Sequence, residues 1–303
     1  MVKLKVNIGK LELKNPVMVA SGTFGEEYAE LVDINSLGAY VAKTITMEAR
    51  TGNPAPRVYE TASGMLNSIG LENKGFEYFA KEKAPFLKKL KTAVIISIAG
   101  NSASEYKELA KRVSALGLAD AIELNLSCPN VKHGVHRGLI AQDGGLTAEV
   151  IAAVKKAVTI PVIAKLTPNV DDIVKIALAA QDAGADALLL VNTFYGMAVD
   201  INTRKPRLGN TVGGLSGPAI KPMALKMVWE TYKRVGVPVI GCGGIMDHKD
   251  ALEFMLCGAR AIQVGTANFV NPSAATDIID GIKKYLSAKR INDINKLVGS
   301  VET

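Results

Sequence analysis

The 303-residue chain is poor in cysteine: Cys128, Cys242 and Cys257 are the only three, and none are in C-x-x-C spacing. That excludes a disulfide framework and a four-thiolate zinc or iron–sulfur site, and it fits a reducing cytoplasm. Aromatic residues are only 5%, so the apolar content is aliphatic and rich in alanine. Long apolar runs are missing too. The run 93–96 (AVII) continues only to Ala99 across Ser97, far short of the ~20 residues that a spanning helix needs. The opening stretch MVKLKVNIGKLELKNP has neither the apolar centre nor the cleavage site of a secretory signal. No G-x-G-x-x-G follows the first apolar strand, where Ser21-Gly22-Thr23-Phe24-Gly25 stands instead; the usual dinucleotide signature of an open doubly wound sheet is therefore absent.

What is present is globular. With 48% hydrophobic and 21% charged residues, disorder is excluded as the main state. The net charge of +7 is spread along the chain in mixtures such as Lys81-Glu82-Lys83. Such mixtures describe solvated faces rather than a nucleic-acid stripe, and the excess of cations suits small anionic ligands. Eight short, nearly continuous apolar runs, at 17–20, 40–43, 94–99, 121–126, 162–166, 187–191, 237–241 and 261–265, read as parallel strands buried on both faces. Stretches of helical period separate them, as in Asp172-Ile173-Val174-Lys175-Ile176-Ala177-Leu178-Ala179-Ala180. Gly38, Gly184 and Gly258 each precede an alanine at a helix-to-strand junction, where glycine can take a left-handed cap. Eight such units with no linker predict one α/β domain over 1–303, a (β/α)8 barrel of the TIM type. Three connections, 44–71, 127–145 and 192–217, are longer than closure requires. All three follow a strand, which places them at the C-terminal rim where barrel chemistry occurs.

Residues at the strand ends carry the chemical signal. Cys128 opens a rim loop between two asparagines, a position for a reactive thiol rather than for a core residue. His133 and His136 lie in the Gly-containing stretch after it and read as solvated loop residues, while His248 reads as a helix start. Lys43 and Lys165 end strands that are otherwise apolar, where a lysine must be paired or must face an anion. Asn67, Asn125, Asn130 and Asn192 offer donor and acceptor together, as a heterocycle with alternating C=O and N–H groups requires. Gly243-Gly244 after the seventh strand and Gly265-Thr266 after the eighth occupy the usual phosphate position of such barrels.

These residues resemble the class 1 dihydroorotate dehydrogenases over nearly the whole chain, closest to the class 1B catalytic subunit. The segments that carry the likeness are Ala20-Ser21-Gly22-Thr23-Phe24-Gly25, Lys43-Thr44-Ile45-Thr46, Asn67-Ser68-Ile69-Gly70-Leu71, Asn125-Leu126-Ser127-Cys128-Pro129-Asn130, Asn192-Thr193, Gly213-Gly214-Leu215-Ser216-Gly217-Pro218, Gly243-Gly244 and Gly265-Thr266. The resemblance implies one FMN per chain, contacted by Ser21, Lys43, Thr44, Asn125, Lys165, Val191, Gly217, Gly243, Gly244, Gly265 and Thr266. Ser97 stands where many relatives carry a flavin-contacting asparagine. It further implies a dihydroorotate site at Lys43, Asn67, Ser68, Ile69, Gly70, Leu71, Asn125, Asn192 and Thr193, with Cys128 as catalytic base and Lys165 beside the flavin.

The implied reaction is oxidation of dihydroorotate to orotate in pyrimidine biosynthesis: a proton leaves C5, and a hydride passes from C6 to the flavin. For the electron acceptor, the class 1B likeness rests on Val131-Lys132-His133-Gly134, Gly196-Met197-Ala198-Val199-Asp200 and Gly214-Leu215-Ser216-Gly217-Pro218. It implies an electron-transfer partner carrying FAD and a [2Fe-2S] cluster and passing electrons to NAD+, in a homodimer or a heterotetramer of two catalytic and two electron-transfer chains. No metal, nucleic acid or membrane is expected. A fumarate-reducing homodimer of class 1A type and a flavin-free barrel aldolase or isomerase acting on a phosphorylated metabolite remain the alternatives.

Overall fold

The structure, a computed structural model, describes residues 2–126 and 139–302; Cys128, His133, His136 and Asn130 lie outside the described residues. Eight parallel strands close into a barrel: β1 (Val17–Val19), β2 (Ala39–Ile45), β3 (Ala93–Ile98), β4 (Ala121–Asn125), β5 (Val162–Lys165), β6 (Ala187–Leu190), β7 (Val239–Cys242) and β8 (Ala259–Val264). Each pairs with its neighbours in chain order, and β8 closes on β1 through Ile262↔Val17 and Val264↔Val19. All eight expected strands are therefore present. β2 runs two residues past Lys43, and β7 begins after Pro238, whose missing N–H cannot join a ladder. The runs are apolar because both strand faces are covered. Ile96, Ile122, Leu124, Leu189 and Ile262 are wholly buried, each contributing about 1.5–3 kcal/mol of burial.

Four of the helices behind the strands start at side-chain caps. Ser102 caps Ala103–Ala115, Asp143 caps Gly144–Lys155, Asp172 caps Ile173–Asp182 and Asp247 caps His248–Leu256, each accepting from main-chain N–H groups of the first turn. His248 is the first residue of its helix, as expected. The first crossover is irregular: two 3-10 turns, Glu26–Glu30 and Ile34–Ser36, stand in place of a helix. Gly184 and Gly258 do adopt positive φ at their junctions. Gly38 does not, which corrects the expectation of a left-handed cap there. Its reason is close approach, since a Cβ at Gly38 would lie 2.1 Å from the Asn15 carbonyl oxygen.

A hairpin of Val6–Ile8 and Leu11–Leu13 lies at the N-terminal face, its Gly9 turn packed on Asp186 just ahead of β6. At the opposite rim, two of the three long connections form a sheet of their own. Phe194–Gly196, Gly213–Ser216, Gly64–Asn67 and Val58–Thr61 pair antiparallel in that order. The connection after β2 is thereby tied to the one after β6 above the barrel mouth.

Candidate active site at the barrel mouth

The last residues of β4 and β5 stand side by side, Asn125 in register with Lys165. Asn125 is fixed by its own neighbours: its carbonyl accepts from the Tyr106 hydroxyl at 2.8 Å, and its Nδ2 donates to Thr44 Oγ1 at 3.3 Å. Asn192 Nδ2 reaches Asn125 Oδ1 at 3.4 Å, and Asn192 Oδ1 accepts from the Thr193 N–H at 2.8 Å. Asn67 Nδ2 donates to the Gly214 carbonyl at 3.3 Å, so the rim sheet itself orients it.

A cavity opens over these groups. Its wall includes Ser21, Lys43, Thr44, Asn67, Ile69, Gly70, Leu71, Asn125, Lys165, Val191, Asn192, Thr193, Gly217, Gly243, Gly244, Gly265 and Thr266. Nine separate segments of the sequence thus converge on one mouth. Ser68 and Ser97 are not part of the wall. Ser68 is buried against Asn53, whose Nδ2 donates to its hydroxyl at 2.9 Å. Ser97 lies in the barrel interior beneath Thr44. Lys43, although in a barrel strand, is exposed, with its Nζ beside Gly22. Cys128 is outside the described residues.

The two lysines differ in kind. Lys165 is only 6% exposed, and its Nζ lies 3.6 Å from Oε1 of the fully buried Glu123. That separation is an ion pair and not a hydrogen bond. The Lys165 ammonium makes no hydrogen bond to another described residue, so its N–H donors are available to whatever fills the cavity. Glu123 also accepts from Ser97 Oγ at 3.0 Å and from Gln263 Nε2 at 2.7 Å. Cys242 lines the cavity beside this pair. Burial pushes its thiol above the ordinary value, Lys165 pulls it down, and Glu123 adds to the rise.

At the ends of β7 and β8, the main-chain N–H groups of Gly243, Gly244, Gly265 and Thr266 meet no acceptor among the described residues. Gly243 and Gly244 have φ of 127° and 74°, conformations open to glycine and strained for other residues. Unpaired N–H groups in a concave, glycine-lined loop suit an anion, above all a phosphate. The donor set therefore fits a flat, amide-bearing ring with a phosphate tail: a buried ammonium would serve the ring, and the open main-chain donors would serve the tail. Glu123, Gln263 and Ser216 were not foreseen as part of this site. Ser216 accepts from Thr266 Oγ1 at 2.8 Å and ties the rim sheet to the phosphate loop. Among the described residues, no helix is long and apolar enough to cross a membrane, and no cluster of three or more His, Cys, Asp or Glu side chains suits a metal.

Fold and site together define a (β/α)8 barrel whose C-terminal mouth gathers polar side chains and open main-chain donors in one cavity. The family model described as dihydroorotate dehydrogenase matches residues 3–286, and the chain belongs to that family. It is 55% identical over 302 residues to the dihydroorotate dehydrogenase B (NAD(+)) catalytic subunit of Desulforamulus reducens, covering 99% of this chain and 98% of that one. The subunit of the same name from Trichlorobacter lovleyi is 51% identical over 302 residues with the same coverage. The one from Thermoanaerobacter sp. is 51% identical over 304 residues, with 99% of each chain covered. Among solved structures, the DHODH of Eimeria tenella in complex with ferulenol matches with a TM-score of 0.82 at 24% identity, over 98% of this chain and 88% of that one. At that identity the likeness confirms the barrel alone.

Proposed function

We propose that this chain, over 1–303, is the FMN-binding catalytic subunit of an NAD+-linked dihydroorotate dehydrogenase. In this reading it oxidises dihydroorotate to orotate and passes electrons to a separate subunit carrying FAD and a [2Fe-2S] cluster. The observation that carries the reading is the pairing of Lys165, a buried ammonium with unused donors, with four open main-chain N–H groups across the same cavity. The relatives named as NAD(+)-linked catalytic subunits favour this acceptor over fumarate.

FMN, when bound, supplies the ring that accepts a hydride. The N–H groups of Gly243, Gly244, Gly265 and Thr266 would hold its phosphate, while Ser21, Thr44, Val191 and Gly217 border the same cavity. Lys165 would stabilise negative charge as the ring is reduced. Lys43, Asn67, Asn125, Asn192 and Thr193 would fix the carboxylate and amides of dihydroorotate, with Ile69-Gly70-Leu71 closing around it. Cys128, assigned by its motif, would take the C5 proton as thiolate.

The test is an anaerobic titration of the FMN-loaded chain with dihydroorotate, read at the flavin band near ~450 nm, followed by NAD+ and then fumarate. The flavin should bleach on substrate and should stay reduced in NAD+ until a partner subunit is added. Bleaching near neutral pH should be largely lost in Cys128→Ala with FMN retained. A chain that takes up no FMN, or whose flavin stays oxidised in dihydroorotate, overturns the reading. Rapid reoxidation by fumarate points to the class 1A alternative.

A further inference from the structure

Glu123 is the group in the barrel that packing does not explain. It is wholly buried in a strand whose other residues up to Leu124 are apolar. It sits two residues before Asn125, on the same strand face and one layer below the mouth. Three polar groups converge on it: Ser97 from the adjacent strand, Gln263 from β8, diametrically opposite β4 in the eight-strand ring, and the Lys165 ammonium. A carboxylate at this depth is expensive to desolvate, and a well-packed apolar residue of similar volume would commonly serve stability as well or better. The arrangement therefore asks for a role other than stability.

We propose that Glu123 is a positioning residue that anchors the Lys165 ammonium beneath the cavity and offsets its charge, so that the pair sets the reduction potential of the flavin held above it. The inference rests on the flavin reading. The geometry gives the division of labour. Glu123 binds Lys165 by charge at 3.6 Å and takes its own hydrogen bonds from Ser97 and Gln263. It thus fixes the ammonium without consuming the donors that face the cavity. Two-electron reduction places negative charge on the ring; Lys165 favours that charge and Glu123, behind it, opposes it. Removing the carboxylate charge alone therefore makes the flavin easier to reduce.

The experiment compares FMN-loaded wild type with Glu123→Gln, which keeps the side-chain shape, in equilibrium titrations against a reference dye. At a fixed ambient potential, the ratio of reduced to oxidised flavin should rise at least tenfold in Glu123→Gln, which is about +30 mV for a two-electron couple. Lys165→Met should move the ratio the other way. If Glu123→Gln does not fold, Glu123→Asp withdraws the carboxylate by one methylene and should give a smaller shift of the same sign. A purely structural role predicts a lowered unfolding midpoint with an unchanged ratio. That result, or a shift toward harder reduction, overturns the proposal. Wild type that binds no flavin defeats the underlying functional reading. Wild type that is reduced by dihydroorotate, with a wild-type ratio in the folded glutamate variant, defeats this inference alone.

Discussion

Replacing Lys165 by methionine isolates the energetic weight of the buried pair. The substitution keeps most of the aliphatic stem and deletes the ammonium, leaving Glu123 wholly buried without its counter-charge. Removing one partner of a buried ion pair costs about 3–5 kcal/mol. Here the orphaned carboxylate still accepts from Ser97 at 3.0 Å and Gln263 at 2.7 Å, and hydrogen bonds to charged groups are worth about 1.5–3 kcal/mol each. The loss should fall at the lower end, about 3 kcal/mol, or roughly 6 °C in Tm at the ~2 °C per kcal/mol appropriate to a large domain. Distance alone would argue otherwise. The Lys283–Asp280 pair is shorter, at 3.0 Å, but its side chains are more than half exposed, and Lys283→Met should cost less than about 0.5 kcal/mol. Burial, not separation, decides between them. The assay is unfolding of the flavin-free protein, since bound ligand adds its own stabilisation. Glu123→Gln in the Lys165→Met background should recover at least about 1 kcal/mol, measured as a double-mutant coupling. Additive effects, or a Lys165→Met protein within about 0.5 kcal/mol of wild type, would refute the pair as an energetic unit.

Three further outcomes are expected. Gly244→Ala forces a φ of 74° on a Cβ residue and sets that Cβ 2.8 Å from both the Cβ and the main-chain N of Lys221. The conformation costs about 1–2 kcal/mol, and FMN affinity should fall about tenfold or more in a fluorescence titration; unchanged affinity would remove this loop from the phosphate site. The Asp293 carboxylate accepts from the Asn295 side chain and main-chain N–H and pairs with Lys3, and the Asn295 side-chain hydrogen bond does most to hold it below the usual carboxylate range. Its contribution is complete above the ordinary aspartate value of ~3.9 and is lost as pH falls through the lowered native value. Asp293→Ala should therefore cost about 1 kcal/mol at neutral pH, and the gap to wild type should close in acid; a gap that widens in acid would contradict the sign. Burial raises the Cys242 thiol, so in alkylation mapped by mass spectrometry at mildly alkaline pH it should be modified much more slowly in the native chain than after unfolding. Rapid modification of the native chain would show a thiolate where none is expected.

The barrel was legible because its strands are buried on both faces and its sequence therefore records each as an apolar run with little alternation. The rim sheet was not. Val58–Thr61 and Phe194–Gly196 are short and partly exposed, and the Asn67–Gly214 contact joins residues 147 apart, a pairing that no local pattern announces. Half of that sheet did carry a local signal. The stretch Val58-Tyr59-Glu60-Thr61-Ala62-Ser63-Gly64-Met65-Leu66-Asn67 places small residues between two β-prone segments, and the pair is a hairpin whose turn is Ala62-Ser63, closed by Thr61↔Gly64. Gly38 was read through the commonest reason for a glycine at a helix end. Its actual reason, the Asn15 carbonyl pressed against it, belongs to a neighbour 23 residues upstream in sequence.

The site residues divide along the same line. Those at the strand ends were readable because the topology of a parallel barrel sends every strand's C-terminus to one mouth, so Asn125, Lys165 and Gly265 meet there on topology alone. The layer that supports them was readable in principle by one further step. In a strand, residues n and n−2 share a face, so the positions two before the mouth point into the barrel directly beneath it. Two before Asn125 is Glu123, two before Gly265 is Gln263, and two before Ala99 is Ser97. In three apolar runs the polar exception falls at the same depth, and the structure joins all three by hydrogen bonds. A polar residue at n−2 in one strand is an oddity; the same oddity at one level of three strands is a layer, and a layer directly under a cationic floor implies a charge that something in the mouth requires.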